Sequence, residues 1–371
     1  MISRPFWLTK LDESWKRRSL IWLSGVRRSG KTTLCKMIHG AVYLNCDLPS
    51  VNRQLENPEF FFNNIAPGKI VVLDEIHRLQ NPSQVLKIGT DEFPRLKILA
   101  TGSSTLEATK KFRDSLTGRK TQIFLPPIMW NECLDDFGIR DFDRRLLNGG
   151  LPEFLLSEVK HGELYSEWMD SYYARDIQEL FSVRNRTGFL TLMQLVFIRS
   201  GGILEISSLA KESGLSRPTV MAHLESMEVA HAVTLVFPFY GGGKKEIVKR
   251  PKVYAFDTGF VTHVRGWNEI RESDRGVLWE HLVLDMLHVL YGIVYYWTDK
   301  NKKEIDFIIK GERGELNTVE CKINPDKYSP EAVKKFREYY PLGRNYCLSP
   351  HIKVPYKLSY GDIEVHFQSV P

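Results

Sequence analysis

The amino-acid sequence reads as an α/β protein in three parts: a mostly parallel sheet domain, a helical segment, and a mixed α/β domain. Its first third alternates short apolar runs with helix-like stretches, the pattern of a parallel sheet covered by helices on both faces. From about Phe142 to Met227 the strand signal gives way to helical periodicity. The remainder returns to alternating, strand-like segments beside one long helical stretch. These shifts place domains at 1–140, 141–265 and 266–371. A chain of 371 residues, 43% of them hydrophobic, has the length and apolar content for more than one packed core.

Each element has a local reason. Leu20–Leu23 is an apolar strand followed by a Gly-rich turn and a helix from Lys31. Ala41–Leu44, Ile70–Leu73, Leu96–Ala100 and Thr121–Leu125 supply four further strands. Gly149-Gly150 and Gly201-Gly202 punctuate the helical middle. Within it, Ile206-Ser207-Ser208-Leu209-Ala210 opens a short helix and Gly214-Leu215-Ser216 makes a turn. Ser216 suits an N-cap, and Pro218 falls in the first turn of the next helix, where its missing N–H costs little. This is a helix-turn-helix pattern, and the Val233–Tyr254 hairpin behind it reads as a wing. A long helix over Val277–Leu290 then precedes strands at Ile293–Trp297, Glu304–Ile309 and Asn317–Ile323.

Composition excludes several classes. The five cysteines form no C-x-x-C pair and no His cluster accompanies them, so zinc sites and disulfide frameworks are not expected. That usage fits a reducing cytosol. The N-terminus lacks the apolar stretch of a signal peptide. No run approaches about 18 apolar residues, so a cytoplasmic protein without a membrane span is expected. The net charge of +6 is mild and accommodates a polyanionic partner without requiring one.

Gly25-Val26-Arg27-Arg28-Ser29-Gly30-Lys31-Thr32 fits G-x-x-x-x-G-K-[ST] at every fixed position, between a strand and a helix. Glycines let backbone N–H groups curl around phosphates, and the helix start adds partial positive charge. Lys31 suits the β- and γ-phosphates and the Thr32 hydroxyl suits Mg²⁺, with Arg28, Ser29 and Thr33 completing the candidate cradle for ATP. Ile70-Val71-Val72-Leu73-Asp74-Glu75 is a buried strand ending in two carboxylates, where ligands of open parallel sheets bind. Asp74 would hold the Mg²⁺ shell and Glu75 would polarise the attacking water. Thr101-Gly102-Ser103-Ser104 ends a neighbouring strand, and Ser103, then Thr101, are the candidates for contacting the γ-phosphate or the water. A plain glycine turn and a solvated acidic turn are the alternatives.

On these motifs the chain resembles the prokaryotic AAA-like P-loop ATPases related to the STAND class. The similarity continues through Leu116-Thr117-Gly118-Arg119 and Leu125-Pro126-Pro127, and through Asn148–Glu153 and Tyr173-Ala174-Arg175-Asp176-Ile177. It implies that Arg119 is an arginine finger reaching a neighbouring subunit's nucleotide, and hence a homo-oligomer. An arginine pairing an acidic neighbour is the alternative.

For the helix-turn-helix, the second helix would enter a DNA major groove while Lys244, Lys245, Lys249, Arg250 and Lys252 of the hairpin touch phosphates. A packing or oligomerisation module is the alternative. In the last part, Glu280 shares an inward stripe with Val277, Leu284, Leu287 and Tyr291, a costly position for an unpaired carboxylate. Alternation puts Glu304 and Asp306 on one strand face and Glu320 and Lys322 on one face of the next. Paired in register, Asp306, Glu320 and Lys322 would meet. Glu280, Asp306 and Glu320 would bind Mg²⁺, with Lys322 orienting the attacking water. The order resembles the PD-(D/E)XK nuclease fold, which also follows the winged helix in the ATPase family named above. A solvated cross-strand pair is the alternative.

The resulting expectation is an ATP-binding, ATP-hydrolysing protein acting on nucleic acid, most simply DNA, with a Mg-dependent nuclease domain. The competing expectations are a nucleotide-gated interaction switch and a DNA remodeller carrying a catalytically silent nuclease fold.

Overall fold

A computed structural model describes residues 2–102, 114, 116–178, 181, 183–241, 250–311 and 313–370. Ser103, Lys244, Lys245 and Lys249 lie outside the described residues. The N-terminal strands are β1 (Leu20–Ser24), β2 (Val42–Asn45), β3 (Ile70–Asp74), β4 (Lys97–Thr101) and β5 (Lys120–Phe124). They form one sheet in the order β2-β3-β4-β1-β5, parallel at every pairing. β1 is buried throughout and lies between β4 and β5, which explains its uninterrupted Leu-Ile-Trp-Leu run. Gly25 follows the end of β1, Asp74 and Glu75 the end of β3, and Thr101 the end of β4, so the motifs gather at one sheet edge.

A leading helix, Pro5–Trp15, buries Trp7, Leu11 and Trp15 at a four-residue spacing, one stripe of the helix. Its preceding Arg4 is 4% exposed and holds Glu132 through two N–H donors at 2.7 and 2.9 Å. The same guanidinium donates to the Ser29 carbonyl at 3.2 Å, so this buried pair also braces the glycine loop.

The helical middle contains Ile206–Ser213 and Arg217–Val229 in the expected order. Gly214 takes the left-handed φ of 68° between them, and the Ser216 hydroxyl accepts the Thr219 N–H at 3.3 Å. The hairpin that follows pairs β7 (Val233–Pro238) with β8 (Lys252–Ala255), after a short β6 (Gly202–Ile203). The remaining strands are β9 (Val294–Thr298), β10 (Glu304–Lys310), β11 (Leu316–Cys321), β12 (Asn345–Leu348), β13 (Tyr356–Tyr360) and β14 (Ile363–Gln368).

These do not form a sheet apart from the hairpin. Phe237 and Pro238 of β7 pair in parallel with Tyr295 and Tyr296 of β9. Among the described residues the strand order is therefore β13-β14-β12-β11-β10-β9-β7-β8-β6 in one continuous sheet. The helix Glu272–Tyr291 packs on β9, β10 and β11, burying Leu278, Leu282, Val283, Leu284 and Leu287. Tyr291, expected on the inward stripe, is 41% exposed because the stripe runs out at the helix end.

Candidate functional site

The glycine loop owes its shape to two backbone positions. Gly25 has φ 147°, and a Cβ there would lie 2.4 Å from the Leu125 carbonyl oxygen. Gly30 has φ 97° and caps the helix Lys31–Lys36. Lys31 folds back over the loop, donating to the carbonyls of Gly25 at 2.8 Å and Val26 at 2.9 Å. Burial lowers its pKa, partly offset by the charges of Glu75, Asp176 and Asp74. Thr32, Thr33, Arg28 and Glu75 line a cavity of about 450 Å³ in front of the loop. Ser29 does not line that cavity: it is fully buried behind the loop, and its N–H donates to the Val26 carbonyl at 3.3 Å.

The acidic pair divides by environment. Asp74 is 2% exposed, accepting from the Thr101 hydroxyl and, at 2.7 Å, from the Tyr43 hydroxyl. Thr101 in turn accepts the Glu75 backbone N–H at 3.0 Å, so the end of β4 ties the Asp74 carboxylate to the backbone of Glu75. Glu75 has a left-handed φ of 57°, a conformation a non-glycine residue adopts only when its surroundings hold it. Its carboxylate faces the cavity beside His77 Nδ1 at 3.2 Å. Burial pushes its pKa up, but the His77 hydrogen bond and the Lys31 charge outweigh that and leave it below the ordinary carboxylate range.

The cavity has a second wall that the motifs did not announce. Pro152, Glu153, Arg175, Asp176 and Ala230, all from the helical middle, line it with the loop. Glu153 pairs with Arg28 at 2.9 Å and Asp176 with Arg27 at 3.1 Å. The buried Trp168 donates its indole N–H to the Arg27 carbonyl at 3.1 Å. The Tyr173–Ile177 stretch was a signal here, but its chemistry was not legible without its neighbours. Arg119 is not at this cavity: it makes a two-point ion pair with Asp91 of its own chain, at 2.7 and 3.0 Å.

A second cluster forms between β8, β10, β11 and the helix Glu272–Tyr291. Lys322 Nζ lies 2.7 Å from Glu320 and 3.8 Å from Asp306. Asp306 also accepts the Cys321 N–H at 2.7 Å. Glu280 accepts from the Tyr254 hydroxyl at 3.0 Å. Burial, and then the charge of Asp306, push both Glu280 and Glu320 well above the ordinary carboxylate range. Lys252, expected on the wing facing phosphates, is 5% exposed and bonded to Glu304 of this cluster. The β7–β9 pairing carries β8 into the continuous sheet, where every residue of that strand is buried, so Lys252 does not face outward. Arg250 of the same hairpin is paired with Glu205.

Residues 17–134 match the family model for an AAA domain. That part of the chain is similar to the AAA domains of P-loop ATPases. Residues 139–271 and 275–364 match two domains of unknown function, DUF8612 and DUF4143. The chain is 23% identical to the uncharacterised protein Rv2008c of Mycobacterium tuberculosis, over 84% of this chain and 72% of that one. It is 25% identical to the uncharacterised protein MJ1544 of Methanocaldococcus jannaschii, over 81% of this chain and 74% of that one. Among solved structures it is similar to a Walker-type ATPase of Pyrococcus abyssi, at 16% identity and TM-score 0.44, covering 71% of this chain and 96% of that one. It is also similar to RuvB of Thermotoga maritima, at 14% identity and TM-score 0.32, covering 63% and 89%. No helix among the described residues is long and apolar enough to cross a membrane.

Proposed function

We propose that the chain is a nucleotide-driven switch that binds and hydrolyses ATP and couples that cycle to a C-terminal domain acting on nucleic acid, most simply DNA. The observation that carries this is the shared cavity: the glycine loop forms one wall and Glu153, Arg175, Asp176 and Ala230 of the middle segment form the other. A nucleotide there touches both. The Arg27–Asp176 and Arg28–Glu153 pairs place loop cations beside middle-segment carboxylates, so incoming phosphates compete directly for the same arginines.

In this reading Lys31 binds the β- and γ-phosphates and the ionised Glu75 takes the proton of the attacking water. Thr101 and Tyr43 hold Asp74, and the Thr101–Glu75 bond holds the base in its strained backbone. The Thr32 hydroxyl and Asp74 are the oxygen donors suited to Mg²⁺, which when bound neutralises charge on the phosphates. Arg119 acts in the nucleotide site of a second copy, which makes the protein a homo-oligomer and requires the Asp91 pair to open.

A second reading, a Mg-dependent phosphodiesterase in the C-terminal domain, is favoured by the proximity of Asp306, Glu320 and Lys322. The donors are all hard oxygens, but their placement does not fit a metal. Among the described residues no three His, Cys, Asp or Glu groups are gathered so as to hold an ion. No cleavage step is therefore assigned to it.

The test of both readings is cleavage of DNA and RNA with Mg²⁺ or Mn²⁺, with and without ATP, comparing wild type with Asp306→Ala and Lys31→Ala. ATP-dependent cleavage lost in both variants supports the nuclease. ATP turnover lost in Lys31→Ala, with nucleic-acid binding that follows the nucleotide but no cleavage, supports the switch. Nucleic-acid binding indifferent to nucleotide overturns the coupling.

A further inference from the structure

The C-terminal carboxylate cluster is surrounded by more charge than its strand pair supplies. Glu280 comes from the long helix, Glu304 and Asp306 from β10, Glu320 from β11. Among the described residues, two ammonium groups pair with these carboxylates. Lys322 is the local one, alternating with Glu320. The other, Lys252, arrives from β8, more than fifty residues earlier in the chain and outside the 275–364 match. Its ammonium is bonded to Glu304, stands 5.4 Å from the centre of the Tyr296 ring, and lies within electrostatic reach of Glu280 and Asp306. Two positions along the same strand, the Tyr254 hydroxyl donates to Glu280 at 3.0 Å.

We infer that Lys252 is the resident cation of this cluster, and that the hairpin strand β8, by inserting Lys252 and Tyr254 among the carboxylates, keeps the site from taking a divalent metal. A buried lysine persists there because it is paired; without it, Lys322 is the remaining cation bonded to these carboxylates among the described residues. Of the carboxylates at this site, Glu280 is thus held by Tyr254 and the neighbouring Glu304 by Lys252, both residues of the middle segment. This inference deepens the reading of the cluster as a phosphodiester site, since it names what occupies that site in the state observed. Lys252 and Tyr254 are positioning residues here: they act through the carboxylates.

The experiment is calorimetric titration of the full chain, free of nucleotide, with Mn²⁺ alone. Wild type is expected to show no uptake in the sub-millimolar range, and Lys252→Met to take up one Mn²⁺ per chain. Asp306→Asn added to Lys252→Met should abolish that uptake and so locate it. Lys252→Arg, which keeps the charge, should behave as wild type. Should Lys252→Met prove poorly folded, Lys252→Gln retains a donor to Glu304, and a Mn²⁺-dependent rise in its melting temperature, absent in wild type, is the equivalent readout. Equal uptake by wild type and the neutral variants overturns the inference, as does a lack of uptake by both folded neutral variants. Failure of the nuclease reading is separate: a neutral variant that binds Mn²⁺ yet cuts no nucleic acid leaves the inference standing.

Discussion

On the proposed function, replacing Glu75 with Gln should separate ATP binding from hydrolysis at the glycine-loop cavity. The side chain lines the cavity beside Lys31, and its pKa below the ordinary range keeps it ionised at neutral pH, the form a general base needs. Gln has the same volume but cannot take a proton. Loss of a positioned base costs roughly 10²–10⁴ in rate, a barrier increase of about 3–5 kcal/mol. Binding should move the other way. One negative charge leaves a cavity that receives a polyphosphate, a gain on the order of 1 kcal/mol at most in this solvent-open setting. Glu75→Gln should therefore bind ATP as wild type or up to about fivefold tighter, while turnover falls at least about a hundredfold. Calorimetry with a non-hydrolysable ATP analogue measures the first and single-turnover phosphate release the second. Turnover within threefold of wild type, with binding intact, would refute the assignment of the base. The pH profile checks it independently. A base with a depressed pKa stays active above that value, so the acid limb of turnover should lie below the ordinary carboxylate range. It should move up in His77→Ala, which removes the hydrogen bond that lowers the Glu75 pKa.

Three further outcomes are expected. Arg119→Ala should reduce turnover of the assembled protein by roughly 10³-fold or more without changing ATP affinity, whereas Asp91→Asn, which removes the charge that pairs with the arginine, should not; equal loss in both would make the pair structural. Arg4→Met strands a buried Glu132 and should destabilise the fold by roughly 3–5 kcal/mol, measured by denaturant unfolding. His281 is 3% exposed and burial pushes its pKa down to about 4, so the stability tied to its neutral form is present above about pH 6.5 and lost as pH falls through about 4. Thermal melts between pH 7 and 4.5 should show that loss, and His281→Asn should flatten it.

The elements legible in the sequence are local ones. The glycine loop, Asp74-Glu75 and Thr101 each sit at the end of a short apolar strand, and adjacent residues alone specify strand, turn and helix start. Parallel stacking of those strands then brings the ends to one edge, so the first sheet and the glycine loop at its edge were legible in the sequence. The helix, turn and helix over Ile206–Val229 were legible for the same reason, through Gly214 and the Ser216 cap. The tertiary structure alone decided contacts between distant segments. Arg4 meets Glu132 across 128 positions, and Arg27 meets Asp176 across 149. Nothing in the periodicity of either partner names the other. Lys252 shows the limit most clearly. Its local pattern, a lysine in a basic hairpin, suits a solvent-facing wing. A short parallel pairing, Phe237 and Pro238 of β7 against Tyr295 and Tyr296 of β9, joins that hairpin to the C-terminal sheet. Once the sheet is continuous, the lysine's lowest-energy partners are the buried carboxylates rather than water or phosphate, because a charge removed from solvent is stable only where an opposite charge meets it.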